Sequence, residues 1–116
     1  MNESAGQRLR ADLDKALAAA ARQQGEALEF DEREQIVISM AAAAADRVEQ
    51  LRAVWEVLIV GKVSATALAN LAGELRMHER AVIDLCGRVA LGTGAAKSPR
   101  HQRAAQARWN RQPAVR

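Results

Sequence analysis

From Val37 to Leu58 the apolar positions are Val37, Ala41, Ala44, Val48, Leu51, Trp55 and Leu58, spaced alternately by four and three residues. That spacing keeps one stripe of an α-helix apolar along its whole length, the seam pattern of helices that pack side by side. Asp31 stands just before the stripe and Glu34 follows three residues later. Their side chains can satisfy free first-turn amides reciprocally, and Glu32 and Glu34 put negative charge at the positive end of the helix dipole. The pattern predicts a helix over about 31–60, roughly 30 residues and ~45 Å long, ended by Gly61. A second seam, Leu68, Leu71, Leu75, His78, Val82, Leu85 and Val89, predicts a helix over about 64–91. Ser64 or Thr66 would cap it, and Gly92 and Gly94 would end it.

Before these, Leu9, Leu13, Ala16, Leu17 and Ala20 form one apolar stripe and predict a helix over about 4–24, closed by Gly25. Strand signals are nearly absent; Gln35–Ser39 is β-branched but lies inside the helical pattern. The expected fold is therefore all-α: a long antiparallel helical hairpin joined by about five residues, plus an N-terminal helix. Val48, Leu51, Trp55 and Leu58 on one side, and Leu68, Leu71, Leu75, Val82 and Leu85 on the other, are the residues expected at the hairpin or oligomer seam. Leu58, Ile59 and Val60 beside the first seam, and Ile83 and Cys86 beside the second, make the apolar surface wider than two helices can cover. The surplus is expected to meet the first helix or another subunit.

Composition sharpens this picture. Alanine is abundant, including Ala41 to Ala45, and there are only two Trp, one Phe and no Tyr. Alanine favours helix but buries little surface, so a thin monomer completed by association is expected. Residues 1–92 read as a helical oligomerisation body and 93–116 as a flexible basic tail. The charge is divided the same way. Residues 1–84 hold ten basic and fourteen acidic side chains, net −4, whereas Leu85 to Arg116 holds seven basic residues and no acid. An acidic body with a basic arm is suited to hold a position and touch a polyanion, or an acidic protein, with its end.

Within the arm, Ser98 can cap and Pro99 can open a short helix reaching about Trp109. Taking Arg100 as zero, Arg111, Arg108 and Arg103 fall at about 20°, 80° and 300°, so the four share an arc of about 140° with Trp109 opposite. Alone, so short a helix is marginal, and order is expected only on a partner. Arg88, Lys97, Arg100, Arg103, Arg108 and Arg111 are the candidate DNA or protein contacts. Arginine forks fit phosphates and carboxylates in paired geometry. Trp109, isolated in a polar segment, is the candidate anchor, for a protein pocket ahead of base stacking.

No catalytic constellation stands out. His78 and His101 lie on different elements, Cys86 is the lone cysteine, and no zinc spacing or phosphate loop is present. Cys86 reads as a small apolar residue, and His78 as a hydrogen-bonding residue at the seam edge. Glu49 with Arg52, Glu79 with Arg76, and Asp84 with Arg80 and Arg88 read as surface pairs within one helix. No cofactor, no metal and no enzyme activity are expected. No apolar run approaches the ~20 residues that span a bilayer, and the polar N-terminus is unlike a signal peptide, so a cytoplasmic protein with no membrane partner is expected.

Several stretches resemble the terminase small subunits of tailed phages, especially those of actinobacterial phages and prophages. They are Gly6-Gln7-Arg8-Leu9; Leu28 to Glu34 opening the long helix; Ala45-Asp46-Arg47 with Leu51 downstream; Glu74-Leu75-Arg76; and the tail from Ala96 to Trp109. The chain has no separate N-terminal helix-turn-helix of the kind many such subunits carry, and Ser64-Ala65-Thr66 stands where related sequences often have His-Pro. The resemblance implies a non-enzymatic viral genome-packaging subunit in the bacterial host cytoplasm. Such a subunit forms a ring of helical hairpins, binds double-stranded viral DNA, and recruits and regulates the large subunit that holds the ATPase and nuclease. The residues alone also admit a small helical DNA-binding regulator or nucleoid-type dimer, or a non-catalytic adaptor whose basic tail binds an acidic protein.

Overall fold

The computed structural model describes residues 2–89, and every structural statement below concerns these. They form three helices and no strand: α1 (Ala5–Gln24), α2 (Glu32–Ile59) and α3 (Ala65–Gly87). The tail expected over 93–116 lies outside the described residues.

Each start is fixed by a side chain. Ser4 caps α1 and exchanges bonds with Gln7, and Asp31 caps α2 and exchanges bonds with Glu34, both as capping boxes. Ser64, rather than Thr66, caps α3 by accepting from the amide of Ala67. α1 ends where Gly25 adopts the left-handed conformation, φ 68°, which a residue with a Cβ adopts only at a cost.

α2 is the central element: α1 packs along one side of it and α3 along another. The seam expected from the sequence is buried or half-buried throughout, from Val37 to Leu58 on α2 and from Leu68 to Leu85 on α3. Ala16 departs from expectation; it is exposed, while Leu13 and Leu17 carry the stripe inward. α3 also stops four residues short of the expected boundary. Gly87 is a poor helix former, and the amides of Arg88 and Val89 bond three residues back, to Leu85 and Cys86, tightening the last turn. Val89 then turns inward and is only 4% exposed.

The core gathers at one end of α2. Leu13 and Leu17 from α1, Phe30 from the connection, Ile38 from α2 and Val89 beyond α3 form one cluster, bordered by Leu9, Leu28 and Val37. Val89, the last described residue, is thus packed beside the Phe30 corner. No helix is long and apolar enough to cross a membrane.

Candidate functional site

The best-defined polar site among the described residues is the junction between the start of α1 and the middle of α2. The first turn of any helix leaves amides without helical partners. Here each one is answered. The amide of Ala5 donates to Glu49 Oε1 at 3.1 Å, that of Gly6 to Asp46 Oδ1 at 2.7 Å, and that of Gln7 to Ser4 Oγ at 3.2 Å. α1 has no acid in its own first turn, so α2 supplies two carboxylates where the helix dipole favours them. Arg8 Nη2 closes the site on Glu49 Oε2 at 2.8 Å, and Arg10 Nη2 donates to Ser39 Oγ at 2.7 Å.

Such close contact needs small residues. A Cβ on Gly6 would run into the Ala42 carbonyl oxygen and would lie 2.9 Å from both Asp46 carboxylate oxygens. Ala41 and Ala42 are buried beneath it. The alanine run that makes α2 a thin helix thus also makes room for α1. Two stretches that carry the family resemblance, Gly6 to Leu9 and Ala45 to Arg47, meet here. Their residue types answer a packing demand, and this helix N-terminus is already filled by the protein's own carboxylates.

Hydrogen bonding sets the ionisation of those groups. The Gly6 amide, then the Ser4 side chain, hold Asp46 below its ordinary 3.8, and Arg8, then the Ala5 amide, hold Glu49 below its ordinary 4.5. A depressed carboxylate pKa contributes stability that is complete above the unfolded-state value and is lost as pH falls through the folded-state value. The docking of α1 is therefore expected to be constant at neutral pH and to weaken only once pH falls below the ordinary carboxylate values. Amide exchange measured from pH 6 to pH 2 should show α1 losing protection before α2 and α3; uniform loss across all three helices would contradict this.

The ion pairs differ from the intrahelical pattern expected. Glu49 pairs with Arg8 of α1 instead of Arg52, and Arg52 pairs with Glu79 of α3 at 2.6 Å, leaving no Glu79 pair with Arg76. Only Arg80–Asp84, at 3.8 Å, follows the intrahelical expectation. Sequence spacing shows only neighbours on the same helix; once α1 and α3 pack on α2, opposite charges on facing helices lie closer. His78 is half-buried, 3.6 Å from Glu74. Cys86 is half-buried, and burial pushes its thiol upward, away from the thiolate that reactive cysteines require.

Of the candidate contact residues, Arg88 is exposed and forms the C-cap of α3. Lys97, Arg100, Arg103, Arg108, Trp109 and Arg111 lie outside the described residues. The seam candidates Val48, Leu51, Trp55, Leu58, Leu68, Leu71, Leu75, Val82 and Leu85 all lie on the covered sides of α2 and α3. Sequence reading missed Gly6, Asp46 and Glu49 as a junction. The available signal was a glycine in the first turn of one helix and an alanine run beside two acids on another. Among the described residues, no group of three or more His, Cys, Asp or Glu side chains could hold a metal ion. No family model, no curated protein and no solved structure matches this chain.

Proposed function

We propose that this chain is a non-catalytic, self-associating DNA-binding subunit of the small-terminase type. It holds double-stranded DNA with its C-terminal arm and recruits a large ATPase–nuclease subunit for genome packaging. The observation that carries the reading is the charge division: an acid-free segment from Leu85 to Arg116 with seven basic residues, attached to a body of net −4. Burial of Val89 supports it by anchoring the last described residue ahead of the arm. Val89 packs with Phe30, on the connection that bears Glu26, Glu29 and Asp31. The carboxylates of that connection disfavour phosphate, whereas Arg88 and the arm carry the positive charge that attracts it. The long helical hairpin serves as the oligomerisation body, and the assembly is a ring. Several copies multiply a weak arm into strong, salt-sensitive binding through avidity.

The test replaces Arg100, Arg103, Arg108 and Arg111 together by alanine in the full chain, with native mass and duplex binding measured on the same sample. Duplex retention should disappear while mass stays constant. Where residual binding is measurable, its log–log salt slope should fall by up to about 3.6, at ~0.9 per neutralised phosphate. Unchanged DNA binding would remove the arm from the account. Loss of the oligomer would make the arm structural.

A further inference from the structure

α2 has one side that neither neighbour covers. Taking Ile36 as zero at 100° per residue, the positions that meet α1 (Ile38, Ser39, Ala42, Asp46 and Glu49) fall at about 200–300°, and the seam at about 40–140°. Between them lies a second stripe, one residue out of phase with the first and spaced by the same alternating four and three. Its large apolar members are Ile36, Met40, Val54 and Val57, exposed by 61, 53, 45 and 70%. Ala43, Arg47 and Gln50, also exposed, complete it. Together these apolar side chains present roughly 400 Å² in two clusters, one at each end of the stripe, separated by Arg47 and Gln50.

The stripe matches itself when reversed. If two α2 helices lie antiparallel about a two-fold axis at Arg47, Met40 faces Val54, while Ile36 and Ala43 fall within one residue of facing Val57 and Gln50. One turn before Ile36 the same stripe carries exposed Glu32, and three residues beyond α2 stands exposed Lys62. The antiparallel register brings these opposite charges to the same two ends of the pair, although Lys62 lies beyond the helix. A parallel register would set Glu32 on Glu32, Lys62 on Lys62 and Arg47 on Arg47; the antiparallel one keeps only the last like pair. Flanking charges set the orientation of paired helices in this way. At the centre, Arg47 Nη1 donates to Gln50 Oε1 on its own helix at 3.4 Å, and the like-charged Arg47 pair is the cost of this register.

We infer that this face docks a second copy of the chain, giving a two-fold antiparallel pair along α2. A face about 33 Å long buries on the order of 1,000 Å² in total, at the low end of specific interfaces. The contact is isologous and closes on itself, so any larger ring contains an even number of chains.

Disulfide trapping in the full-length chain, with Cys86→Ser as background, tests the pairing without DNA and so stands or falls apart from the proposed function. Arg47→Cys alone should oxidise to a covalent dimer, as should Met40→Cys combined with Val54→Cys, whereas Met40→Cys alone should not. Met40→Cys alone trapping as well as Arg47→Cys would show a parallel pair and overturn the proposal, as would failure of all three. Separately, Val54→Asp should reduce native mass at least twofold with helix content unchanged, because the position is exposed in the monomer. An unaltered mass would overturn the proposal as well.

Discussion

Gly6→Ala is expected to destabilise the protein by about 1–3 kcal/mol, the usual range for forcing a methyl group into a filled contact. Elsewhere the same exchange gains up to about 1 kcal/mol of helix propensity. Two effects therefore compete at Gly6. The new Cβ meets the Ala42 carbonyl oxygen and both Asp46 carboxylate oxygens. Backbone cannot move as a flexible side-chain tip can, so α1 has to shift away from α2. That shift also lengthens the Gly6–Asp46 and Ala5–Glu49 bonds, and the steric cost wins. Gly73 is the control. It lies inside α3, no atom lies within 4 Å of where its Cβ would be, and its φ is not positive. Gly73→Ala should gain about 0.5–1 kcal/mol. Urea midpoints of the two variants should therefore move in opposite directions from wild type; movement in the same direction would show that α1 does not dock as described.

Phe30→Ala is expected to cost about 3–5 kcal/mol. Phe30 is the chain's one phenylalanine and is 9% exposed. It sits at the corner between α1 and α2, in contact with the cluster of Leu13, Leu17, Ile38 and Val89. The other members are aliphatic and come from α1, α2 and the residue beyond α3, so none can collapse into an aromatic-sized gap without moving a helix. With typical small-domain stability near 5–15 kcal/mol, this loss takes a large share of the total. The urea midpoint should fall sharply, with protection lost first at α1 and around Val89. A change below about 1 kcal/mol would mean that the cluster is not the centre of the fold.

The helices were legible in the sequence because their signals are local. Asp31 with Glu34, Gly25 after the first stripe, and two unbroken heptads each act within a few residues. The end of α3 was less legible: the seam continued through Val89, and Gly87 alone hinted at the stop without showing that Val89 would turn in to fill the core. The α1 junction was hidden for another reason. Gly6 and Asp46 are forty residues apart, and Glu49 had a nearer basic neighbour in Arg52 that the folded chain does not use. The open stripe on α2 was masked by its own interruptions, Arg47 and Gln50, and by a stronger seam one residue away. The chemistry of the arm, by contrast, rests on charge alone, which is fully visible in the sequence.

The most direct measurement for the central claim is binding of wild-type full-length protein to duplex DNA across salt. Retention is expected at ~50 mM salt, and if six or more phosphates are neutralised affinity should fall about 10³-fold or more by ~200 mM. No retention at ~50 mM, or an affinity that ignores salt, would contradict a basic arm that holds DNA.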